Sequence, residues 1–317
     1  MITNRIREAL EDLIQPPVGL TFHEPMAGHT YLGVGGPADV FIVPVDTDSL
    51  ARVMRVLFGI GMPVHVLSGG TNVVVADEGM DGAVVSVREI DYVMETGSTP
   101  TEVTLEVGAG NGLQKLIRYA RSAGLSGLEN MAGIPGMVGG ALAGNAGSFG
   151  TSFSDVLVEA IVVNQEGGVE RYAKAELLPH YRSMRLPEGS CVAGAVIKLR
   201  KDSPDAVAER MREVLVKKKE TQPMGERSAG CVFKNPQGDH AARLIEAVGC
   251  KGMTEGGMMV SLLHAGYIVN TGDGTAEEYR ELMTIISERV RGTFGVVLEP
   301  EVRLWGRWPE QCDEDED

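Results

Sequence analysis

Two glycine-rich segments carry residue types that could hold an anion. The longer one, Gly133-Ile-Pro-Gly-Met-Val-Gly-Gly-Ala-Leu-Ala-Gly-Asn-Ala-Gly-Ser-Phe-Gly150, is glycine at seven of its eighteen positions. Ile134, Met137, Val138, Leu142 and Phe149 are interleaved, so it differs from a polar linker. Its bare backbone could bring N–H groups against phosphates, although a tight structural crossing would use the same residues. The shorter segment, Ser68-Gly-Gly-Thr-Asn72, offers glycine amides flanked by hydroxyl and amide side chains. It reads equally as a pyrophosphate cradle or an ordinary turn, and it lacks the lysine of a triphosphate-binding loop. Gly108-Ala-Gly-Asn-Gly112 sits between a strand and a helix, but Leu113 stands where a dinucleotide fingerprint needs its third glycine. A structural turn is the better reading there.

Polar groups in apolar surroundings form a second set. Tyr181-Arg182, Ala229-Gly-Cys-Val-Phe-Lys-Asn-Pro236 and Glu299-Pro-Glu-Val-Arg303 each place acids, bases or donors beside apolar residues. Taken singly, each would be a surface charge or, for Cys231, an inert thiol.

The elements that must position these groups follow from hydrophobic period. Ile6, Leu10, Leu13 and Ile14 predict an amphipathic helix, and Asp39–Val43 a buried strand. A helix starting near Thr47 would bury Leu50, Val53, Met54 and Leu57, with strands at Val64–Leu67, Ala83–Val87 and Val103–Val107. Leu113, Leu116, Ile117 and Ala120 stripe the next helix, which Gly124 would terminate. Strands are expected at Leu157–Val163, Gly168–Tyr172 and Val192–Leu199. Ser203-Pro204 then opens a helix carrying Val207, Met211, Val214 and Leu215. Lys217-Lys218-Lys219 at its end reads as a complement to the helix dipole. Beyond Thr221 come a helix at about Asp239–Val248 and strands around Met258–Leu262 and Tyr267–Asn270. A helix boxed by Thr275 and Glu278 would face its core with Leu282, Ile285 and Ile286, and a last strand would span Gly295–Trp305.

Composition narrows the function. At 317 residues the chain can hold two or three domains, and its formal net charge of −15 disfavours nucleic acid and anionic membranes as partners. Neither a signal peptide nor a membrane span is evident. Cys191, Cys231, Cys250 and Cys312 form no close pair, so no metal site or disulfide framework is expected and a reducing cytoplasm suits the chain.

In order and in register, these motifs closely resemble the UDP-N-acetylenolpyruvoylglucosamine reductase family of peptidoglycan synthesis, in its compact class. The resemblance runs from about Thr30 to Gly306. It includes Gly35-Gly-Pro-Ala-Asp39, Ser68–Asn72, Gly133–Gly150, Tyr181-Arg182, Ala229–Pro236, Gly256–Asn270 and Leu298-Glu-Pro-Glu-Val-Arg303. It implies an α+β protein: a two-subdomain FAD-binding fold of the PCMH or vanillyl-alcohol-oxidase type, plus a C-terminal α+β substrate-binding domain. The expected divisions are 1–88, joined by a C-terminal strand at 302–310, then 89–220, then 221–301, with 311–317 an acidic tail. The implied cofactor is FAD. The implied substrates are the small molecules NADPH and UDP-N-acetylglucosamine-enolpyruvate, with no obligate protein partner.

Residue by residue, the resemblance assigns cofactor contacts to Ser68, Gly69, Gly70, Thr71, Asn72, Gly133, Ile134, Pro135, Gly136, Gly139, Gly140, Asn145 and Gly147. It assigns substrate contacts to Tyr181, Lys234 and Asn235. Arg182 would pair with the substrate carboxylate and Glu301 would assist. Cys231 stands where the family's proton donor is usually serine, and a thiol is the stronger acid. A second departure is Tyr31-Leu-Gly-Val34, where many members carry a basic residue. The nearest rival is a flavin oxidase of the same FAD-binding fold, for which no histidine-bearing attachment motif is evident.

Overall fold

The computed structural model describes residues 7–8, 10–11 and 18–309. The chain forms two units, each assembled from three stretches: Met1–Phe22, Val40–Gly70 and Gly82–Met224 in one, and His23–Asp39, Thr71–Asp81 and Gly225–Asp317 in the other. Each unit has its own apolar core. Arg7, Glu8, Leu10 and Glu11 are helical and Leu10 is fully buried, whereas Ile6, Leu13, Ile14 and the acidic tail lie outside the described residues.

The chain begins with β1 (Gly19–Pro25), β2 (Pro37–Val43), α1 (Thr47–Gly59), β3 (Val64–Leu67), β4 (Val73–Val75) and β5 (Met80–Ser86). Asp46 starts α1: its carboxylate accepts the Ser49 N–H at 2.7 Å, and those bonds hold its pKa below the ordinary aspartate value. Leu50, Val53, Met54 and Leu57 are buried as their spacing predicts. β3 pairs with β5 in parallel, Val64 opposite Ala83.

Beyond β5, and within the first unit, come β6 (Val93–Ser98), β7 (Glu102–Gly108), α2 (Leu113–Ser122), β8 (Leu125–Ser126) and α3 (Val138–Ala143). After these come β9 (Gly147–Ser148), β10 (Thr151–Ser152), β11 (Leu157–Val163), β12 (Val169–Ala173), β13 (Cys191–Lys201) and α4 (Pro204–Thr221). A six-stranded sheet runs β12–β11–β13–β7–β6, with β8 also on β13. Cys191 to Ile197 is an unbroken buried run, as expected of a central strand covered on both faces. Proline at N1 opens α4 as its sequence predicts, although the Ser203 side chain makes no capping bond.

The second unit adds β14 (Arg227–Cys231), α5 (Ala241–Ala247), β15 (Thr254–Glu255), β16 (Met258–Val260), β17 (Tyr267–Asn270), α6 (Ala276–Phe294) and β18 (Arg303–Trp305). Its sheet order is β14–β17–β16–β15, and β18 lies parallel to β4, Arg303 opposite Val73. The Thr275–Glu278 capping box forms, and the Asp77 carboxylate also accepts the Ala276 and Glu277 N–H groups at 3.1 and 3.0 Å. Met283, rather than Ile285, completes the buried face with Leu282 and Ile286.

The long final strand does not form. Gly295 takes φ 67° and ends α6, so only Arg303–Trp305 is a strand. Pro300 has no N–H to donate and makes an isolated bridge opposite Phe233. Thr275→Ala should remove about 1 kcal/mol of stability. It should lower the urea midpoint of unfolding with the slope unchanged.

Candidate active site

The first unit brings the two glycine segments together. Ser68 follows β3, and its Oγ accepts the Gly140 N–H at 3.0 Å. A Cβ on Gly69 would stand 2.6 Å from the Gly136 Cα, closer than real side chains approach. Gly70 takes φ 60°. The amides of Gly69, Gly70, Gly136 and Met137 donate to no other described residue. Two loops in backbone contact thus expose unengaged N–H groups, which is the donor set a diphosphate requires.

Gln114 of α2 staples this region, its Oε1 accepting from Gly133 at 3.0 Å and its Nε2 donating to the Ile134 carbonyl at 2.7 Å. Nothing in the local pattern marked Gln114 as more than a polar helix residue. Within the long segment, α3 interrupts the expected open backbone, and Gly139 donates to the Ala109 carbonyl at 2.8 Å.

Arg182 is held by the same stretch of chain. Its backbone is left-handed at φ 56°, and its Nη1 donates to the Gly147 carbonyl at 3.0 Å. Asn145 donates to the His180 carbonyl at 2.9 Å while its Oδ1 accepts from the Ser154 amide. Asn145 and Gly147, expected as cofactor contacts, thus brace the turn that carries Arg182. Asn145 and Phe149 are also left-handed, at φ 41° and 48°. Such conformations persist where surrounding contacts enforce them, and they gather at functional sites. Tyr181 is exposed, with the guanidinium carbon 5.3 Å from its ring centroid.

Lys218 overturns its expected role. It does not face solvent as a dipole complement but is buried to 1% exposure, and its Nζ donates to the Ala132 carbonyl at 2.7 Å. Burial, with the nearby Arg182 charge adding to it, pulls its pKa down to about 8. Helical spacing did contain this signal. Val207, Met211, Val214 and Lys218 are the buried residues of α4, so the lysine continues the apolar stripe.

In the second unit, Cys231 ends β14 opposite Tyr267, after a register shift that begins at Ser228 and includes Gly230 at φ 79°. The bulge re-aims the strand just before the cysteine. Cys231 is half-buried, whereas Cys191 and Cys250 are buried and desolvation pushes the Cys191 thiol up to about 12. The strand continues as a two-sided pairing. Glu301 N–H donates to the Val232 carbonyl at 2.8 Å, and Lys234 N–H to the Glu299 carbonyl at 2.8 Å. Cys231, Lys234 and Glu301 are therefore fixed on adjoining extended segments.

Asn72 braces them, donating to the Glu301 carbonyl at 3.0 Å, and the Thr71 carbonyl lies 3.7 Å from where a Gly230 Cβ would be. The Lys234 ammonium pairs with the Glu299 carboxylate. Asn235 accepts the Ala241 N–H at 3.0 Å at the start of α5. Among the described residues, no group of three or more His, Cys, Asp or Glu side chains could hold a metal ion. No helix there is long and apolar enough to cross a membrane.

Comparison with known proteins shows where this arrangement belongs. Residues 222–305 match the family model described as the C-terminal domain of UDP-N-acetylenolpyruvoylglucosamine reductase, and residues 38–173 match an FAD binding domain. The UDP-N-acetylenolpyruvoylglucosamine reductase 2 of Symbiobacterium thermophilum is 40% identical over 95% of this chain and 97% of its own length. The chain belongs to the UDP-N-acetylenolpyruvoylglucosamine reductase family.

The reductase of Geotalea uraniireducens is 39% identical over 90% of this chain and 94% of its own. The crystal structure of the Thermus caldophilus enzyme superposes with a TM-score of 0.77 at 36% identity, covering 91% of this chain and 98% of that one. The fold class is accordingly the α+β FAD-binding fold of this family with its C-terminal domain. The chain is a flavin-dependent oxidoreductase, and its cofactor is FAD. The residues fit that cofactor: the unengaged amides of Gly69, Gly70, Gly136 and Met137 suit its diphosphate.

Gly69→Ala should force the two loops apart, and the purified variant should retain much less flavin absorbance per chain than the parent. Gly150→Ala, where a Cβ meets open space, should cost only about 1 kcal/mol of backbone strain and keep the flavin.

Proposed function

We propose that this chain reduces UDP-N-acetylglucosamine-enolpyruvate to UDP-N-acetylmuramate with NADPH, a step of peptidoglycan synthesis located in the cytoplasm. Family membership supports the reaction class. The single observation that supports the substrate assignment is Arg182, held at a left-handed backbone by the Gly147 carbonyl inside the FAD-binding unit.

When bound, FAD would be held by the two glycine segments and would supply hydride transfer from NADPH to substrate C3. Addition to an enol ether conjugated to a carboxylate places negative charge on that carboxylate, as an enediolate. The Arg182 guanidinium, a planar fork of donors, pairs with the carboxylate and stabilises the charge as it develops. Glu301 assists at the same group, with its backbone fixed by Val232 and Asn72. Cys231 gives its thiol proton to C2, completing addition of one hydride and one proton across the double bond. Tyr181, Lys234 and Asn235 hold the sugar nucleotide. Ser68–Asn72 and the Gly133–Gly147 residues named above contact FAD.

The test is anaerobic stopped-flow observation of flavin absorbance, first bleached by NADPH and then mixed with the enolpyruvyl sugar nucleotide. Recovery of the oxidised spectrum supports the reading, and bleaching without recovery would sink it. Cys231→Ala should slow recovery by about 10²–10⁴-fold while bleaching proceeds normally. Cys231→Ser should restore most of the rate. A wild-type recovery rate in the alanine variant would remove Cys231 from the mechanism.

A further inference from the structure

Gln114 lies in the first turn of α2, and the mechanism above gives it no part. Its side chain makes three hydrogen bonds to one short stretch of backbone. Nε2 donates to the Met131 carbonyl at 3.2 Å and to the Ile134 carbonyl at 2.7 Å, and Oε1 accepts the Gly133 N–H at 3.0 Å. The partners fix which way the amide points, because turning it over would set like against like at all three contacts. Of the other side chains of this length, only a protonated carboxylic acid both donates to Ile134 and accepts from Gly133.

That stretch has little else to hold it. Ala132 and Ile134 donate within the turn, to the Glu129 and Met131 carbonyls, and Lys218 of α4 donates to the Ala132 carbonyl at 2.7 Å. Gly133 is left-handed at φ 84°. The far end is fixed by backbone instead: Leu113 N–H donates to the Gly136 carbonyl at 3.0 Å, and Val138 N–H to the Asn111 carbonyl at 2.9 Å. Asn111, Leu113 and Gln114 thus grip both ends of the segment whose Gly136 and Met137 amides are unengaged. The helix itself has other anchors, since Leu113, Leu116, Ile117 and Ala120 bury its apolar stripe.

Resting on the assignment of the two glycine segments to FAD, we propose that Gln114 is a positioning residue for that cofactor. It acts through Gly133 and Ile134, setting the turn so that the amides after it meet the diphosphate.

A glutamate in place of Gln114 reports this role through pH. Neutral, it donates to the Ile134 carbonyl and accepts from Gly133. Ionised, it faces two carbonyls as an acceptor only. FAD binding, which uses the ordered turn, favours the neutral form and raises the pKa above the ordinary glutamate value of about 4.3. Affinity is therefore fully present below that value and is lost as pH rises toward the raised one. Met131 to Gly136 contain no titratable side chain. The charged groups on the elements around them are Lys218, Lys115 paired with Asp91, and Glu129 paired with Arg210. All three sets are shared with the parent, and the Lys218 pKa of about 8 lies above the range used.

The experiment dilutes each holoenzyme at pH values from about 5.5 to about 7.5 and reads released FAD by its fluorescence. Gln114→Met, which keeps the length but makes none of the three bonds, should bind FAD about 10- to 100-fold more weakly and shift its visible spectrum. Gln114→Glu keeps the shape of the amide and serves also if the methionine variant fails to fold. Its affinity relative to the parent should fall by up to roughly tenfold per pH unit across the range. Its flavin spectrum should approach the parent's at the acid end.

A glutamate variant whose affinity runs level with the parent's overturns the assignment. So does a methionine variant that unfolds more easily in urea yet holds FAD with the parent's affinity and spectrum, because Gln114 would then serve the fold alone. Gly69→Ala separates the two readings. Loss of FAD there, with FAD kept in both Gln114 variants, refutes only the role of Gln114. Retention of FAD in Gly69→Ala as well refutes the assignment of the glycine segments.

Discussion

The close approach of Gly69 to Gly136 is the constraint on which the FAD-binding unit depends. No side chain fits on Gly69 against the Gly136 backbone, so the loop after β3 and the loop before α3 stay in contact only while Gly69 is bare. Ser68 then reaches Gly140, α3 begins against Ala109, and the stretch through Gly147 is placed to hold Arg182. Substitution at this contact would therefore disturb more than the cradle itself. Arg182, to which the carboxylate is assigned only by proposal, lies several hydrogen bonds downstream of a glycine contact that has no chemistry of its own.

A similar hierarchy appears in the second unit. Cys231 and Glu301 are distant in sequence but share the extended pairing that starts at β14, and Asn72 secures the same segment from a third stretch of chain. Individual bonds of this kind contribute about 1 kcal/mol each. Their importance lies in fixing orientation, since the roles proposed for Cys231 and Glu301 would lose much of their effect on a displacement of about 1 Å.

Much of this was legible in the residues. The strands at Pro37–Val43, Val64–Leu67, Met80–Ser86, Glu102–Gly108, Leu157–Val163 and Cys191–Lys201 and the helices carrying Leu50, Leu113 and Leu282 follow apolar spacing, because each buries apolar side chains, whereas the mostly exposed β6 offered no such pattern. The family motifs carried the fold class and FAD. What spacing could not supply was partnership across the chain. Gln114, Asn145 and Asn72 are ordinary polar residues until the loops they staple are adjacent. Lys218 was hidden by its neighbours: inside a run of three lysines its charge suggested solvent, while its place on the buried stripe of α4 determined its environment. The expected strand at Gly295–Trp305 is shortened for a local reason, since Gly295 and Pro300 interrupt its backbone.

The parallel pairing of β18 with β4 bears on how the protein is made. Asn72 and Glu301 are 229 residues apart, so the segment that steadies the second unit cannot close until almost the whole chain has left the ribosome. At roughly 5–20 residues per second, Val73–Val75 waits on the order of 10–50 s for its partner strand. During that interval an apolar run of three valines is without its final neighbour, and nascent chains stalled before Arg303 would be the forms most in need of chaperone protection.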